Sequence, residues 1–193
     1  MAKPRVIIVT GTPGTGKTSV SRLLAEKLGC IHLDVSRYVI ENRMYVSYDE
    51  KRQSYVIDED KVREAIKKLV GASKCIVIDI HYPELLDFLQ PDIVIILRTA
   101  PGTLEKRLKP RNWPENKVKE NIMAEILGVP TANALNIVGP DKIYEIDTTD
   151  KKPEEVVRIV LEDILEGKAK PGPKIDWLSR MNPDELIKYE YSG

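Results

Sequence analysis

Residues 11–18, called the phosphate loop here, read Gly11-Thr12-Pro13-Gly14-Thr15-Gly16-Lys17-Thr18 and directly follow the apolar run Val6-Ile7-Ile8-Val9. The loop matches the pattern G-x-x-x-x-G-K-S/T in full, and the amphipathic stretch 19–28 comes next. Glycines let a backbone wrap closely around phosphate groups, and the N-terminus of a following helix adds partial positive charge. A strand, a glycine-rich loop and a helix in this order predict a binding site for the phosphates of a nucleotide.

The polar side chains of this loop have separate predicted tasks. Lys17 is expected to reach the β- and γ-phosphates of ATP, Thr18 to ligate Mg²⁺, and Ser19 to bond further back along the phosphate chain. A glycine-rich turn with a chance lysine is the alternative, and it leaves the flanking strand and helix unexplained. The ATP-binding residues predicted in this part of the chain are Thr12, Gly14, Thr15, Gly16, Lys17, Thr18 and Ser19.

Further short apolar runs alternate with helical patterns along the chain. They occupy 31–33, 76–80, 93–97 and 142–146, and a run without polar alternation is typical of a parallel strand covered on both faces. Between them, apolar residues recur every three or four positions, as they do at 62–70. Because this alternation implies right-handed crossovers, we predict a three-layer α/β P-loop NTPase fold: a parallel five-stranded sheet with helices on both faces.

An acidic side chain ends the buried run Ile76-Val77-Ile78. Asp79 is predicted to hold Mg²⁺ together with Thr18, as a Walker-B aspartate does from a strand end beside the phosphate loop. The alternative is an aspartate that only caps the next helix. His81 lies two residues further on and shares a strand face with Asp79 if the strand continues. For His81, a role in orienting water beside the metal and a purely structural role are both open.

Two of the predicted strands share the same spacing from a cysteine to an aspartate. Cys30 precedes Asp34 by four residues, and Cys75 precedes Asp79 by four. If the strands are neighbours in register, the aspartates meet at the carboxyl edge of the sheet. The cysteines then meet at the opposite edge, with their Cα atoms within about 7 Å of each other. We predict side-by-side reduced thiols there, with a disulfide as the alternative, because adjacent side chains on one face point poorly towards each other and a cytosolic redox environment also opposes the bond.

The bulk composition limits the partners of the chain. Its 193 residues carry 30 Lys and Arg against 30 Asp and Glu, so the formal net charge is zero. Net charge therefore gives no argument for attraction to nucleic acid or to a membrane. No apolar run is long enough to span a bilayer, and the N-terminal residues leave no room for a signal peptide. We expect a cytoplasmic protein with no membrane partner.

Four motifs carry a resemblance to a known family. They are the loop Gly-Thr-Pro-Gly-x-Gly-Lys-Thr, the pair Asp79-x-His81, the stretch Tyr48-Asp49-Glu50 leading to 56–62, and Leu108-x-x-Arg111 followed by Asn121-Ile122-x-x-Glu125-Ile126. Together they resemble adenylate kinase isoenzyme 6, the family of broad-specificity monophosphate kinases and ATPases of ribosome assembly in archaea and eukaryotes. The resemblance runs from about Val6 to Leu165 and leaves only the C-terminal tail uncovered.

The resemblance implies a nucleoside monophosphate kinase-like division of the chain. A kinase domain would span 1–166, with a monophosphate-binding arm at 34–57 and a short lid at 109–117. Lysine, proline and glycine fill 168–174, so 167–193 is predicted to form a linker and a short C-terminal tail. The implied activity is reversible phosphoryl transfer, ATP + AMP to 2 ADP, beside an ATPase activity. The implied partner is a small-subunit ribosomal protein of the S-eleven family, in late small-subunit rRNA maturation and a pre-rRNA context.

The cations around the transferring phosphoryl group are few in this chain. The resemblance assigns an ATP contact to the lid residue Arg111, and the adenine-facing loop after the last strand contains Thr149. Phosphoryl transfer is catalysed mainly by positioning and by positive charge, so Arg107 and Arg111 are predicted to act with Lys17 and Mg²⁺. The alternative for Arg107 is a solvated helix residue. A sparse set of cations predicts slow kinase chemistry and makes ATP hydrolysis a serious competitor.

Two departures from the family pattern concern the acceptor arm and the lid. Monophosphate kinases often carry an arginine at the position of Ile40, where it grips the acceptor phosphate. Arg37 and Arg43 lie three residues to either side and are predicted to substitute for it, together with Asp34 as a monophosphate-binding residue. Many relatives have Arg-Gly-Tyr in the lid, whereas residues 111–113 of this chain are Arg-Asn-Trp.

Three functions are compatible with these motifs. The first is a broad-specificity nucleoside monophosphate kinase with an ATPase side activity. The second is an ATP-switched ribosome assembly factor with a negligible kinase role. The third is another small-metabolite P-loop kinase, such as a shikimate-type enzyme, which the acidic stretch 58–60 does not favour. ADP production that requires AMP would mark the first, and hydrolysis stimulated by a ribosomal protein would mark the second. We favour a protein that combines the first two.

Overall fold

The computed structural model of this protein describes residues 5–50 and 52–189. Its strands are β1 (Val6–Thr10), β2 (Ile31–Asp34), β3 (Tyr45–Asp49), β4 (Ser54–Ile57), β5 (Ile76–Asp79), β6 (Ile93–Arg98) and β7 (Ile143–Asp147). Five of them form a parallel sheet in the order β2-β5-β1-β6-β7. The predicted five-stranded parallel sheet is therefore confirmed, and each of its strands begins and ends within one residue of the predicted run.

Helices cover both faces of this sheet. They are α1 (Lys17–Leu28), α2 (Val35–Glu41), α3 (Glu59–Ala72), α4 (Pro101–Leu108), α5 (Glu115–Ile126), α6 (Val129–Leu135), α7 (Pro153–Ile159) and α8 (Pro183–Ile187). On one face α1 and α7 pack with Ile7 and Val9 of β1, and on the other α2, α3 and α6 pack with Ile8. The three-layer arrangement is confirmed. Within the described ranges, no helix combines the length and apolarity needed to cross a bilayer.

The elements next to the phosphate loop begin and end at residues suited to those positions. Helix α1 ends at Gly29, whose left-handed φ of 62° glycine adopts without strain. Asp34 caps α2 by accepting a 3.0 Å hydrogen bond from the Arg37 N–H, and Asp58 caps α3 by accepting one of 3.2 Å from the Lys61 N–H. Local side chains thus stop β2 and start α2 at the carboxyl edge of the sheet.

The register of β2 against β5 agrees with the repeated cysteine–aspartate spacing. Asp34 pairs with Asp79 at the carboxyl edge. At the opposite edge the Cα atoms of Cys30 and Cys75 are 4.8 Å apart, which confirms the predicted approach. The two cysteines form a disulfide, so the prediction of reduced thiols is wrong. The Cα atoms lie within the span that a disulfide accepts, and the side-chain orientation expected to oppose the bond in fact allows it.

A β-hairpin that was not predicted lies between α2 and α3. Strands β3 and β4 pair antiparallel and form a separate two-stranded sheet. Tyr48 and Tyr55 face each other across the hairpin with ring centroids 5.0 Å apart. Cross-strand aromatic pairs stabilise such ribbons. The hairpin falls within residues 34–57, for which the sequence predicts only an arm.

Residues 167–189, called the C-terminal segment here, pack against the rest of the protein. The composition of 168–174 predicts a linker, but Gly172 N donates a 2.7 Å hydrogen bond to Ile143 O and bridges to β7 in parallel. Further along, Trp177 and Tyr189 are each only 6% exposed. Tyr189 packs with apolar residues of α4 and α5. The C-terminal segment is therefore anchored to the folded body at Gly172, Trp177 and Tyr189.

Candidate active site

The phosphate loop closes tightly on itself between β1 and α1. Gly11 has a φ of 143°, and a Cβ there would lie 2.4 Å from the carbonyl oxygen of Leu97, so a side chain does not fit. The hydroxyl of Thr15 donates to Thr12 O at 2.9 Å. Lys17 Nζ donates to Gly11 O at 2.8 Å and to Thr12 O at 3.0 Å. The loop carbonyls therefore hold the ammonium group where a phosphate chain would meet it.

Lys17 is a buried cation, and its hydrogen-bond partners within residues 5–50 and 52–189 do not include a carboxylate. Burial lowers its pKa to about 8, the nearby charge of Asp79 raises it, and the positive charge of Arg111 lowers it further. Phosphate oxygens are stronger acceptors for an ammonium group than carbonyl oxygens, because the hydrogen bond is then charge-assisted on both sides. The ammonium group of Lys17 can thus exchange its carbonyl partners for the oxygen atoms of a bound phosphate.

Thr18 and Asp79 meet at the predicted metal position. The Thr18 hydroxyl donates to Asp79 Oδ2 at 2.6 Å. Asp79 is 4% exposed, and burial raises the pKa of its carboxyl group, whereas the Thr18 hydrogen bond and the charge of Lys17 lower it. Ser19 is exposed in the first turn of α1, one position further on. The structure therefore brings Thr18 and Asp79 together, as the motif spacing predicts.

The chemistry of this pair fits Mg²⁺. A hydroxyl and a carboxylate are hard oxygen ligands, and Mg²⁺ is usually held by one or two protein groups together with water and substrate phosphates. In the part of the chain that the structure describes, no group of three or more His, Cys, Asp or Glu side chains is arranged to hold a metal. Thr18 and Asp79 would thus be the protein's contribution, and ATP and water would supply the remaining ligands.

His81 lies half-buried beside the phosphate loop and is uncharged at physiological pH. Burial lowers its pKa to about 3, helped by the positive charges of Lys17 and Arg111, while a backbone hydrogen bond with Gly11 raises it. Its Nδ1 has no hydrogen-bond partner among the described residues. The other ring nitrogen donates to the Gly11 backbone, so Nδ1 of the neutral imidazole is an acceptor that can orient a water molecule, and the ring has no positive charge at pH 7.

Arg107 lies against the loop that follows β7. Its guanidinium group donates to Thr148 O at 2.8 Å and to Thr149 O at 2.9 Å, with a longer contact of 3.4 Å to Gly14 O. These acceptors are backbone oxygens, so the structure gives Arg107 a positioning contact. It is half-buried, which removes the alternative of a solvated helix residue. Its predicted role at the transferring phosphoryl group remains a prediction.

A cavity of about 190 Å³ opens beside the phosphate loop on the Arg107 side. The aliphatic side chains of Val20, Pro153 and Val156 form its apolar wall. Its remaining lining residues are Gly14, Thr15, Gly16, Arg107, Thr148 and Lys151. An apolar slot next to a phosphate site has the character needed for a nucleotide base. Thr149 lies just outside it, where its hydroxyl accepts a 2.9 Å hydrogen bond from Ala100 N.

The predicted lid contains a cationic side chain close enough to act on the site. Arg111 is exposed, and its guanidinium carbon lies 5.0 Å from the centre of the Trp113 ring. Its charge lowers the pKa of both Lys17 and His81. Trp113 also contacts Lys117, whose ammonium group donates to Arg52 O at 2.7 Å in the turn of the β3–β4 hairpin. The predicted lid and the β3–β4 hairpin are therefore in direct contact.

The predicted acceptor residues are only partly brought together. Asp34 stands next to Asp79, where it caps α2. Arg37 is exposed and forms a 2.6 Å ion pair with Glu41 on its own helix. Arg43 is exposed as well, in the left-handed region with a φ of 52°. The structure thus has neither arginine buried in the cleft, and their binding of an acceptor phosphate remains a prediction.

Comparison with known proteins decides the family. A family model described as an AAA domain matches residues 7–128. A protein named "Putative adenylate kinase" from Saccharolobus solfataricus is 45% identical over 173 residues, 90% of this chain and 87% of that protein. One of the same name from Methanocaldococcus jannaschii is 37% identical over 174 residues, 90% of this chain and 93% of that protein. The chain belongs to this adenylate kinase family.

Solved structures of other kinases share the fold of this chain. Shikimate kinase from Acinetobacter baumannii, in complex with shikimate, is similar with a TM-score of 0.63 and 21% identity, over 86% of this chain and 96% of that chain. A gluconokinase from Sinorhizobium meliloti 1021 is similar with a TM-score of 0.56 and 16% identity, over 86% of this chain and 94% of that chain. At these identities the likeness shows the P-loop kinase fold alone.

A cluster of buried charged side chains lies behind the phosphate loop, and the sequence did not predict it. Arg98 is 1% exposed and forms ion pairs of 2.8 Å with Glu125 and 2.7 Å with Glu145. Glu125 also accepts a 2.5 Å hydrogen bond from the hydroxyl of Thr12, which is therefore anchored beneath the loop. The signal in the sequence is a glutamate on the apolar stripe of α5, three residues after Ile122. A charge at a core position of a helix indicates a buried partner.

Proposed function

We propose that this protein is an ATP-dependent nucleoside monophosphate kinase that converts ATP and AMP reversibly into two ADP. The observation that carries the proposal is the contact of Thr18 with Asp79 beside the buried ammonium group of Lys17. These are the groups with which P-loop enzymes hold the metal and the β- and γ-phosphates. The name of the archaeal relatives supports AMP as the acceptor class.

The chemistry requires positioning and charge rather than a covalent intermediate. A phosphate oxygen of the monophosphate attacks the γ-phosphorus of ATP, and the bond from that phosphorus to the β-phosphate oxygen breaks. Lys17 balances charge on the β- and γ-phosphates, and the lid residue Arg111 adds a second cation. Thr18 and Asp79 would hold Mg²⁺, which would supply further positive charge at the phosphates. His81, neutral at pH 7, orients a water molecule through its Nδ1 acceptor.

Acceptor binding would draw on the exposed arginines of the arm. Arg37 is held by a surface ion pair with Glu41, and such pairs stabilise a protein by only about 0.2–1 kcal/mol. A doubly charged phosphate can therefore compete for the guanidinium group. Arg43 lies at the other end of α2 and would contribute a second contact. The Arg37→Gln variant is expected to raise the KM for AMP and leave the KM for ATP unchanged.

ADP formation with and without each monophosphate tests this function. Production of ADP from ATP should depend on AMP or on another nucleoside monophosphate. The Lys17→Met variant should lose it, because the cation at the β- and γ-phosphates is removed. Lys27→Met is the matched control, since Lys27 is an exposed lysine in the last turn of the same helix. A rate independent of every monophosphate would contradict the kinase assignment.

The finer assignment, to the isoenzyme 6 type, adds a cellular role. We propose that the protein also hydrolyses ATP and binds a small-subunit ribosomal protein of the S-eleven family during late rRNA maturation. The resemblance in sequence supports this, and an exposed acidic start of α3, Glu59 and Asp60, offers a face for a basic partner. Pull-down at moderate salt should recover that ribosomal protein, and a Glu59→Gln/Asp60→Asn variant should recover less. Recovery of no ribosomal protein would count against it.

The alternative of an ATP-driven switch draws support from the sparse cations of the cleft. Arg107 is engaged by backbone oxygens, and Arg37 is turned to a partner on its own helix. An acceptor phosphate would thus find few preformed contacts with cationic side chains, whereas a water molecule that attacks ATP needs no such contacts. In that case ATP hydrolysis would proceed without AMP and would increase when the ribosomal protein is added.

A further inference from the structure

A single buried carboxylate joins the phosphate loop to the C-terminal segment. Glu125 lies on α5 with 0% exposure. Its Oε2 accepts the 2.5 Å hydrogen bond from the Thr12 hydroxyl. Its Oε1 accepts hydrogen bonds from Arg98 Nε at 2.8 Å, from Thr99 N at 3.0 Å and from the indole Nε1 of Trp177 at 3.0 Å. The indole of the C-terminal segment and the phosphate loop therefore hold the two oxygens of the same group.

The C-terminal segment also satisfies the other charges of this cluster. Glu145 Oε2 accepts hydrogen bonds from Lys174 N at 2.5 Å and from Ile175 N at 2.7 Å. Arg98 donates to Ile175 O at 3.2 Å as well as to Glu145. One guanidinium group faces two carboxylates, so the cluster needs neutral donors to hold the extra negative charge. The backbone N–H groups and the indole provide them.

Thr12 carries this connection to the nucleotide site. Its carbonyl oxygen accepts the hydrogen bonds of Lys17 and Thr15, and its side chain is held by Glu125. Only Glu125 and Thr12 therefore separate the indole of Trp177 from the lysine of the loop.

We infer that Glu125 and Trp177 are positioning residues of the nucleotide site, and that the C-terminal segment sets the geometry of the phosphate loop through them. The indole fixes one carboxylate oxygen, and the other oxygen fixes Thr12 in the place from which its carbonyl holds Lys17. The inference rests on the proposed function only for nucleotide binding at the loop. ADP binding rather than turnover is therefore the quantity to measure.

Tryptophan fluorescence provides a readout that a merely structural contact would not give. The chain has two tryptophans, so Trp113→Phe leaves Trp177 as the reporter. We expect the emission of Trp177 to change when ADP binds, because the phosphates draw Lys17 away from Thr12 and alter the hydrogen bond to Glu125. The further substitution Thr12→Val removes the hydroxyl donor and should abolish the change, while calorimetry still detects bound ADP.

Affinity measurements on the full chain complete the test. Trp177→Phe keeps an aromatic ring but loses the N–H donor, and it should weaken ADP binding by about three- to tenfold. Tyr189→Phe is the matched control, since its hydroxyl donates to Glu105 outside the cluster, and it should bind ADP as the parent does. If Trp177→Phe fails to fold, the emission experiment, which retains Trp177, still decides the question.

Two results would overturn the inference. One is an emission of Trp177 that stays constant at saturating ADP in the Trp113→Phe protein. The other is a folded Trp177→Phe protein with the ADP affinity of Tyr189→Phe. A parent protein that binds no ADP at all would overturn the proposed function first, and this inference with it.

Discussion

Lys17 and Arg98 are both buried cations, but the protein holds them in different ways. Among the described residues, Lys17 has only carbonyl oxygens as hydrogen-bond partners, and burial lowers its pKa to about 8. Arg98 is paired with two carboxylates and makes additional hydrogen bonds to protein oxygens. The first cation is thus left ready for an anionic ligand, and the second is neutralised inside the fold. Substitution of Lys17 should therefore affect turnover, and substitution of Arg98 should affect stability.

We predict that ADP binding takes up a proton at alkaline pH. In the free protein Lys17 is mostly neutral above its pKa of about 8, and bound phosphates raise that pKa. Binding is then favoured below pH 8, and affinity falls as the pH rises through that value. Calorimetry near pH 9, in buffers of different ionisation enthalpy and without Mg²⁺, should detect the uptake for wild type and Lys27→Met but not for Lys17→Met. Binding of ADP by the wild type with no proton exchange would refute this assignment.

His81 should matter for turnover more than for nucleotide binding. Its neutral ring has an unpaired Nδ1 beside the loop, so it can accept a hydrogen bond from a water molecule at the reacting groups. His81→Ala is expected to lower kcat by about tenfold or more and to change the Kd for ATP by less than about twofold. Single-turnover kinetics and equilibrium binding separate the two quantities. Collapse of ATP affinity with an unchanged kcat would make His81 a binding residue instead.

Motif spacing located the side chains that depend on local sequence, and missed those that depend on tertiary contacts. Thr18 follows from its place in the loop, and Asp79 from its place at a strand end. The partners of Arg107 could not be read in the same way, because its two shortest hydrogen bonds go to the loop after β7, more than 40 residues along the chain. The cluster around Arg98 and Glu125 joins residues 27 apart and was missed for the same reason.

At the scale of elements, burial decides how much the sequence reveals. The sheet strands are continuous apolar runs covered on both faces, and this pattern is visible without knowledge of the fold. The hairpin of β3 and β4 is largely exposed, so no apolar run marks it. The disulfide between Cys30 and Cys75 depends on strand register, which the equal cysteine–aspartate spacing did reveal. The arm from α2 to α3 lies within the chain that this disulfide closes.

We predict that reducing the disulfide destabilises the protein but spares the site. The bond closes a loop with a sequence separation of 45 residues. Loss of the restraint on the unfolded chain should lower the free energy of unfolding by about 4 kcal/mol. Activity should persist under native conditions, because the bond lies at the edge of the sheet opposite Asp34 and Asp79. Denaturant unfolding of oxidised, reduced and Cys30→Ala/Cys75→Ala protein measures the difference, and equal stabilities would show that the bond does not form in solution.

At the scale of the whole molecule, the C-terminal segment belongs to the fold, although its composition alone predicts a linker outside the fold. It covers the buried charges of Arg98, Glu125 and Glu145 with backbone groups and with the indole of Trp177. Proline and glycine usually indicate a solvated linker. Here the same residues let the backbone run close to β7, and the hydrogen bonds of that backbone satisfy carboxylates. The role of such a segment depends on what lies beneath it, which composition does not reveal.

Deletion of residues 168–193 is therefore expected to destabilise the protein severely. Each buried polar group left without a partner costs about 1–3 kcal/mol, and the deletion removes donors from both Glu125 and Glu145. The midpoint of thermal unfolding should fall by about 10 °C or more. Ile187→Ala is the matched control, because this residue of the same segment is 61% exposed and should leave the midpoint unchanged. A truncated chain as stable as the control would show that the segment is dispensable.

The fate of the γ-phosphoryl group of ATP tests the central claim most directly. The protein is incubated with Mg²⁺, AMP and ATP labelled with ³²P at the γ-position, and the products are separated. If the protein is a monophosphate kinase in which Lys17 holds the phosphates of ATP, and Thr18 and Asp79 hold the metal, the label should appear in the β-phosphate of ADP. This labelled ADP should form only when AMP is present. Label that appears solely as inorganic phosphate, at the same rate with and without AMP, would contradict it.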